Sequence, residues 1–566
     1  MTVVVKSCYM QHPFVDGSLK DMLTSPLIVP RVSNSSSSTA KLHQSIADLS
    51  AVQPDSTPRW GPTWPWLLLF LVVGTALRMY MLGVKSLWLD EAFSVEVARM
   101  PLPAFLRTVW WGEANMTLYY VFLRFWIHLG DSELWLRCLS AVVGVLTIAA
   151  TYAFGKTFLN RRAGLAAAAL LALHSYHIRY SQELRAYTLV TLLVVLSTYA
   201  FLRLLEAPDR KVFWILYAFL IALAVYAQVL AVFVLLSQWL VLTPRRIKQL
   251  GVFKLLSLGA SIALLIAPIA AVMVLQNKGQ LDWVPRPNLT RVLDVMQDMA
   301  GAQTIGSHST ASGLLLSAFY ATTWIIAFST LCRVRPSQPD GQMTKTALQV
   351  LAIGFIFPIA AMTAVSFLKP IMVPRYLLMC VPAAVMLAGY GLVTLDQWLL
   401  KRRIISWAVL VTMLAMASFS VRDYYASFKT YGHDWRGVTH FLLSQEQSGD
   451  AAVFYTFSGH RAFDYYVQRE QEAGAREAAM PVLFPLELAQ ASIQKRTAPY
   501  HRVWLVLHQT IPTALTNSQS QLIRSALQER FRLASEREFP GDSATRDETG
   551  TIWVGLYVER SSSPEQ

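Results

Sequence analysis

A mainly α-helical polytopic membrane protein is the fold class this sequence predicts, and three observations predict it. Of its 566 residues, 54% are hydrophobic and only 15% charged, too little polar surface to cover a soluble body of that size. Apolar runs of about 20 residues recur, the length at which a helix crosses roughly 30 Å of hydrocarbon. The alternation of a β-barrel is missing from those runs, so the spans are helical.

Residues 1–65 carry "SNSSSSTA" and several prolines and read as a disordered cytoplasmic tail. No short apolar core followed by a small-residue cleavage site is present there, so a cleaved signal peptide is not expected. The membrane domain is expected over 66–420. Its candidate spans are Trp66–Leu82, Leu134–Phe158, Ala163–Tyr176, Tyr187–Leu205, Phe213–Tyr226 with Val229–Leu242, Leu255–Leu275, Leu314–Leu331, Ala347–Phe367, Tyr376–Leu395 and Ile404–Ser420. The segment "LYYVFLRFWIHLG" (Leu118–Gly130) is too short, and with Arg124 and His128 too polar, for a crossing; it is expected to lie in the interface.

Charge then orients the chain. With the first span running outward, Asn160-Arg161-Arg162, Asp209-Arg210-Lys211, Arg245-Arg246, Arg333–Arg335 and Lys401-Arg402-Arg403 all face the cytoplasm. The positive-inside rule therefore gives about 11 crossings, with the N-terminus in and the C-terminus out. This also accounts for the net charge of +14 without nucleic acid. Four cysteines, Cys8, Cys138, Cys332 and Cys380, are too scattered for a disulfide framework or a zinc site. Beyond Ser420 an amphipathic helix, a Gly-Asp turn and apolar strands such as "VWLVLH" and "TIWVGLYVER" predict a folded extracytoplasmic (periplasmic) α/β domain at 421–566.

The outer face collects Asp90, Glu91, Glu113, Glu183, Arg179, Arg185 and Arg375, all near membrane depth. Ionisable groups there are costly unless paired or wet, which makes them functional candidates. Carboxylates act as bases or metal ligands, and arginines match phosphate oxygens. Plain alternatives exist: Asp90 and Glu91 as acids at a helix start, with Trp88 beside them left unexplained; Glu183 and Arg185 as a solvated pair; Arg375 as a snorkelling anchor; His174 and His177 as packed residues.

"SLWLDEAFS", "EANMTLYYVFLRFWIHLGDSELWLRCLSAVVGVLTIAATYAFGKTF", "RRAGLAAAALLALHSYHIRYSQELRAYTL", "RYLLMCVPAAVMLAGYGL" and "DWRG" occur in that order between about Trp64 and Gly437. As an ordered set they resemble bacterial family-39-type membrane glycosyltransferases. These are relatives of the protein O-mannosyltransferases and of the aminoarabinose transferase, all with the GT-C fold. The resemblance implies transfer of a monosaccharide, with inversion, from a polyprenyl-phosphate-linked donor to a lipid, glycan or protein acceptor on the outer face of the plasma membrane. It makes Asp90 the catalytic base and Glu91 its acidic neighbour. Glu113 falls at the cavity rim, next to a divalent metal in some relatives, so such a metal is the one cofactor the resemblance brings in. Glu183, Arg185 and Tyr187 belong to the second polar cluster, Arg375 falls where a donor-phosphate arginine is expected, and Trp88 flanks the base. The chain departs from many relatives in having Asn115-Met116-Thr117 in place of His-Pro-Pro, and Gln228 in place of a histidine. Both departures weaken the case for a metal.

The chemistry asks for these residue types independently. An acceptor hydroxyl needs a base as its bond forms, and a leaving phosphate gains from arginines. In one-step inversion a single base stands opposite the leaving group. A nucleotide-binding loop is neither needed nor present. The rival from another class is a lipid-linked sugar transporter or flippase, though the sequence lacks the repeated halves and midplane acids common in transporters.

Overall fold

The structure, a computed structural model, describes residues 63–275, 284–302, 310–333, 339–398, 403–426, 433–455, 459–472, 474, 480–483, 490–508, 514–539 and 551–560. The tail expected at 1–65, but for its final residues, lies outside them, as do most of the loop at 277–288 and the basic residues Arg335, Lys401 and Arg402.

The chain is a multi-pass helical membrane protein with a C-terminal sheet domain. Helix α1 (Trp64–Met79) opens with a proline in its first turn, where a missing N–H does no harm. Three short helices follow, α2 (Leu89–Arg99), α3 (Leu102–Trp111) and α4 (Thr117–Trp126), the last entered through Met116 at φ 74°. Helix α4 and the 3₁₀ turn Ile127–Leu129 occupy the segment expected in the interface. Tyr119, Tyr120 and Leu123 are buried on one side while Phe122, Phe125 and Leu129 stand exposed on the other, the pattern of a helix lying along a lipid boundary.

Next come α5 (Glu133–Phe158), α6 (Arg161–Ala172), α7 (Ser175–Ser181), α8 (Tyr187–Glu206) and α9 (Lys211–Ala227). Helices α5 and α6 approach so closely at Gly155 that an added Cβ would lie 2.5 Å from the Gly164 Cα, the small-residue contact that lets membrane helices pack backbone to backbone. Gln228, extended at φ −160°, breaks the chain after α9. Beyond it stand α10 (Val232–Trp239), α11 (Pro244–Leu250), α12 (Val252–Leu275), α13 (Leu289–Met299), α14 (Ala311–Arg333), α15 (Pro339–Ser366), α16 (Val381–Trp398) and α17 (Arg403–Ala426).

Among the described residues seven helices are long and apolar enough to cross a membrane, or eight if the bent pair Val229–Trp239 and Pro244–Leu250 is one span. The difference from the expected crossings lies in elements that are helical but shorter than a full crossing, Trp64–Met79 and Lys211–Ala227, and the buried α6. The last membrane helix continues to Ala426, past the expected boundary at 420.

The C-terminal domain holds α18 (Trp435–Gln445), β1 (Asp450–Tyr455), α19 (Gly459–Glu472), β2 (Val482–Leu483), α20 (Gln490–Thr497), β3 (Arg502–His508), α21 (Ala514–Gln528), β4 (Phe531–Phe539) and β5 (Ile552–Glu559). The strands form one sheet in the order β2-β1-β3-β5-β4, parallel across β2-β1-β3 and antiparallel across β3-β5-β4. Successive side chains point to opposite faces, and both faces are covered. Phe454, Trp504, Val506 and Val554 join a core with α18 and α19 that is continuous with the membrane helices. Val453, Leu505, Leu507 and Tyr557 pack with Ile493 of α20 and Leu527 of α21.

The first of these faces carries the docking surface that matters for the site. Glu133, at the start of α5, takes Arg436 at 2.7 Å and Arg469 at 2.8 Å. The Tyr465 hydroxyl donates to the Asp131 carbonyl, the Leu87 N–H to the Tyr466 oxygen and Ser86 Oγ to the His433 carbonyl. The domain is thereby tied to the segment that leads into α2.

Candidate functional site

Helix α2 begins after the extended Trp88, and places Asp90 and Glu91 in its first turn, where the helix dipole favours negative charge. Adjacent residues on a helix diverge by about 100°, so the two carboxylates have separate surroundings. Glu91 turns inward. Its Oε1 accepts from Arg137 Nε at 2.8 Å and from the Leu184 N–H at 2.8 Å; its Oε2 accepts from Arg137 Nη2 at 2.5 Å and from the Trp88 N–H at 3.3 Å. Arg137 spends its other donors on the carbonyls of Leu82, Lys85 and Ser86. Glu91 was expected to share in catalysis; with both oxygens engaged, its geometry is that of a clasp joining the Leu82–Trp88 loop to the loop before α8.

Asp90 turns outward, with its side chain 37% exposed. Its Oδ2 lies 3.7 Å from Arg185 Nη2 and 3.9 Å from Arg375 Nη2, within ion-pair reach but beyond hydrogen-bond length. Arg185 is steadied by Nη1 contacts to the Asp90 carbonyl and Ser94 Oγ, both 3.3 Å. The Arg375 guanidinium sits 5.7 Å over the Trp88 ring and 5.9 Å over Tyr376, a cation–π seat that gives Trp88 a role beyond anchoring. Tyr187 packs against Tyr180 and Tyr376; its hydroxyl is buried and has no hydrogen-bond partner among the described residues, and the buried Tyr120 hydroxyl lies beside Arg185. Groups able to donate hydrogen bonds thus surround a half-exposed carboxylate.

Glu113 follows α3, and burial pushes its carboxyl above the usual range; Arg185 opposes that rise, Asp90 adds to it and Arg461 of the C-terminal domain opposes it. Glu183 does not pair with Arg185 as the surface reading supposed. It lies 3.8 Å from Arg179, while Arg185 has turned to Asp90. Burial raises the Glu183 carboxyl, and Arg179 counters it. Lys85, on the loop held by Arg137, completes this second cluster. Burial, then Arg179 and Arg137, depress its ammonium to about 7.

All eight expected residues, Trp88, Asp90, Glu91, Glu113, Glu183, Arg185, Tyr187 and Arg375, therefore belong to one connected polar region, although Glu91 sits behind it. Sequence reasoning passed over Arg137, Lys85, Tyr120 and Arg461. Arg137 left a signal, an arginine inside the apolar run Leu134–Phe158; Arg461 left none. Arg78, inside the first apolar run, is fully buried and bonds the Leu171 and Ala172 carbonyls, Ser181 and His177, tying α1 to the end of α6 and to α7. His174 meets the Met299 carbonyl at 3.2 Å, so both histidines pack.

For a divalent metal the fit is poor. Of the departures noted above, Asn115 reaches the break after α9, where its Oδ1 accepts the N–H of Val229, the residue after Gln228. Amides are weak ligands beside histidines, and among the described residues no three His, Cys, Asp or Glu side chains gather where they would hold a metal ion.

Residues 116–271 match the model of the dolichyl-phosphate-mannose-protein mannosyltransferase family. No curated protein sequence matches this chain. Among solved structures it is similar to ArnT from Cupriavidus metallidurans in the apo state, with 12% identity, a TM-score of 0.55, and 89% of this chain and 100% of that one covered. The same protein bound to undecaprenyl phosphate superposes with a TM-score of 0.53 at 12% identity and the same coverage. AglB from Archaeoglobus fulgidus, an archaeal oligosaccharyltransferase in complex with an inhibitory peptide and a dolichol-phosphate, gives 0.50 at 13% identity, covering 82% of this chain and 72% of that one. The fold is that of the GT-C membrane glycosyltransferases.

Proposed function

We propose that this protein transfers a monosaccharide, with inversion, from a polyprenyl-phosphate-linked donor to an acceptor hydroxyl on a lipid, glycan or protein at the outer face of the plasma membrane. The observation that carries the reading is the Asp90 carboxylate standing between Arg185 and Arg375 at 3.7 and 3.9 Å, within ion-pair reach of both and beyond hydrogen-bond length from each. Two arginines converging beside one carboxylate suit a phosphate oxygen. A partly exposed carboxylate between them suits a base.

In the step proposed, Asp90 takes the proton of the acceptor hydroxyl as its oxygen bonds to the anomeric carbon. The bond from that carbon to the donor phosphate oxygen breaks on the opposite side. The electron pair leaves with the polyprenyl phosphate, whose charge Arg185 and Arg375 stabilise. Tyr187 and Tyr120 offer hydroxyls to the phosphate or sugar, and Trp88 holds Arg375 in place. Glu113 and Glu183 line the approach. The polyprenyl phosphates bound by the structural neighbours support the donor class. The sidedness rests on helix direction: α5 and α8 start beside the site and end near Arg161–Arg162 and Arg210–Lys211, where positive loops belong to the cytoplasm.

The test is mass spectrometry of envelope glycolipids, glycans and glycoproteins from cells lacking the gene, and from the same cells carrying wild type or Asp90→Asn at matched membrane levels. A sugar that disappears in the deletion, returns with wild type and stays missing with Asp90→Asn establishes the transferase and names its product. Full restoration by Asp90→Asn removes the base and favours a transporter that moves the lipid-linked sugar without chemistry.

A further inference from the structure

Two cavities meet at Arg99 and Gln468, one along the seam between α2 and α19 and the other between α2 and the Arg124–Asp131 segment, and neither is lined by the arginines that flank Asp90. One, of about 270 Å³, is lined by Glu96 and Arg99 of α2 and by Arg461, Asp464, Tyr465 and Gln468 of α19, over a floor that includes Ala92 and Val95. The other, of about 530 Å³, continues past Arg99 and Gln468, which are joined at 2.7 Å. Resting on the transferase reading above, we infer that this cleft seats a saccharide unit of the acceptor.

The lining chooses the ligand class. Two carboxylates face two guanidinium groups, so the rim has no net charge to draw an anionic headgroup or a polycation. It does alternate strong acceptors with strong donors around an apolar floor, which is what a ring bearing several hydroxyls over a C–H face can satisfy at once. Arg461 is committed to Glu96 at 2.9 Å and to the Phe93 ring at 4.4 Å, and Arg99 to Asp131 at 2.8 Å. Asp464, exposed on α19 near His460 and Glu96, accepts no hydrogen bond from any described residue and is the carboxylate left for a ligand.

The position also fits. Asp90, Phe93 and Glu96 follow one another at intervals of three along α2, so each neighbours the next while Glu96 stands about 120° around the helix from Asp90. At 1.5 Å per residue, Glu96 stands about 9 Å along the axis from Asp90, so a sugar seated in the cleft is a different unit of the acceptor from the one whose hydroxyl meets Asp90. Arg461 closes the row. It lies on Phe93 between the two, and its charge is felt at Glu113, which also feels Asp90. The C-terminal domain thus contributes one wall of the path by which an acceptor approaches the base.

The experiment uses the full chain in lipid nanodiscs and a panel of methyl glycosides (glucoside, galactoside, mannoside and N-acetylglucosaminide) in saturation-transfer NMR. At least one glycoside is expected to give a signal that survives Asp90→Asn and weakens about ten-fold in Glu96→Gln/Asp464→Asn, the loss expected when charged hydrogen bonds go. Gln468→Ala, a surface change, serves as a second variant if the double one does not bind undecaprenyl phosphate like wild type, and is expected to weaken the same signal. No signal from any glycoside, or signals indifferent to the cleft variants, overturns the inference. The two readings fail separately: an Asp90→Asn protein that restores product in cells sinks the transferase, whereas an inactive Asp90→Asn protein beside unaffected glycoside binding in the cleft variants sinks the cleft alone.

Discussion

Arg137 holds Glu91 through two nitrogens, at 2.8 and 2.5 Å, with the two side chains only 4% and 1% exposed. That pair fixes the start of α2 against the loop before α8, and so sets the distance between Asp90 and Arg185.

A buried pair that loses one partner leaves an uncompensated charge, a penalty of about 3–5 kcal/mol. Arg137→Met is therefore expected to lower the melting temperature of the detergent-purified protein sharply. The double variant Arg137→Met/Glu91→Leu should recover much of that loss, because it removes both charges. A double variant no more stable than the single one would contradict the clasp.

Asp90 makes no comparable tie, so its removal should be felt in turnover alone. Asp90→Asn is expected to lower the transfer rate by about 10²–10⁴, the usual worth of a general base, with the melting temperature and undecaprenyl phosphate binding close to wild type. A parallel loss of lipid binding would move Asp90 from chemistry to donor recognition.

The arginines should behave differently from lysines. Arg185→Lys and Arg375→Lys keep the charge but lose the planar fork and, at Arg375, the stacking on Trp88. Each is expected to weaken binding of undecaprenyl phosphate about ten-fold, which isothermal titration would read directly. Trp88→Leu should reproduce part of the Arg375 effect; unchanged binding there would show that the ring contact is incidental.

His508 gives the C-terminal domain a dependence on pH. Its ring is buried at the end of β3, with Nε2 2.8 Å from His433 Nδ1, and burial followed by the neighbouring His433 depresses it well below 6.5. The unfolded chain takes up a proton near 6.5 while the folded domain refuses it, so stability falls as the pH drops below that value and levels off only at the folded pKa. Thermal unfolding of the full chain should shift downward between pH 7 and 5, and His508→Gln should flatten that shift. An identical pH profile in the variant would assign the effect to other groups.

Much of this was legible in the sequence, and the reason differs from place to place. The membrane helices announce themselves because hydrocarbon leaves the backbone no other partner, and α5, α8 and α12 meet that demand in plain composition. Asp90 stood out in the sequence because a carboxylate beside a tryptophan at the end of an apolar run needs a reason, and the structure places it between two arginines. Its neighbour Glu91 looked equivalent, since nothing local reveals that a helix turns one acid toward Arg137 and the other away. The pairing of Arg185 with Asp90, in place of Glu183, was equally hidden, because it depends on how the loop before α8 settles. Hardest of all was Arg461, which meets α2 only after the whole membrane domain intervenes. No periodicity spans that separation.

The ties from Ser86 to His433, Leu87 to Tyr466, Glu96 to Arg461 and Arg99 to Gln468 have a consequence in time. During synthesis the segment bearing Asp90 emerges before its partners, which lie more than three hundred residues further along the chain. Until they arrive and fold, that segment is held by Arg137 and the neighbouring helices alone. A ribosome that stalls before the C-terminal domain, or a protease that removes it, leaves behind a membrane-embedded remnant in which the segment bearing Asp90 is half-fastened. Arrival of the C-terminal domain thus finishes the fastening of the segment that carries Asp90, and the order of synthesis sets the order in which the two are joined.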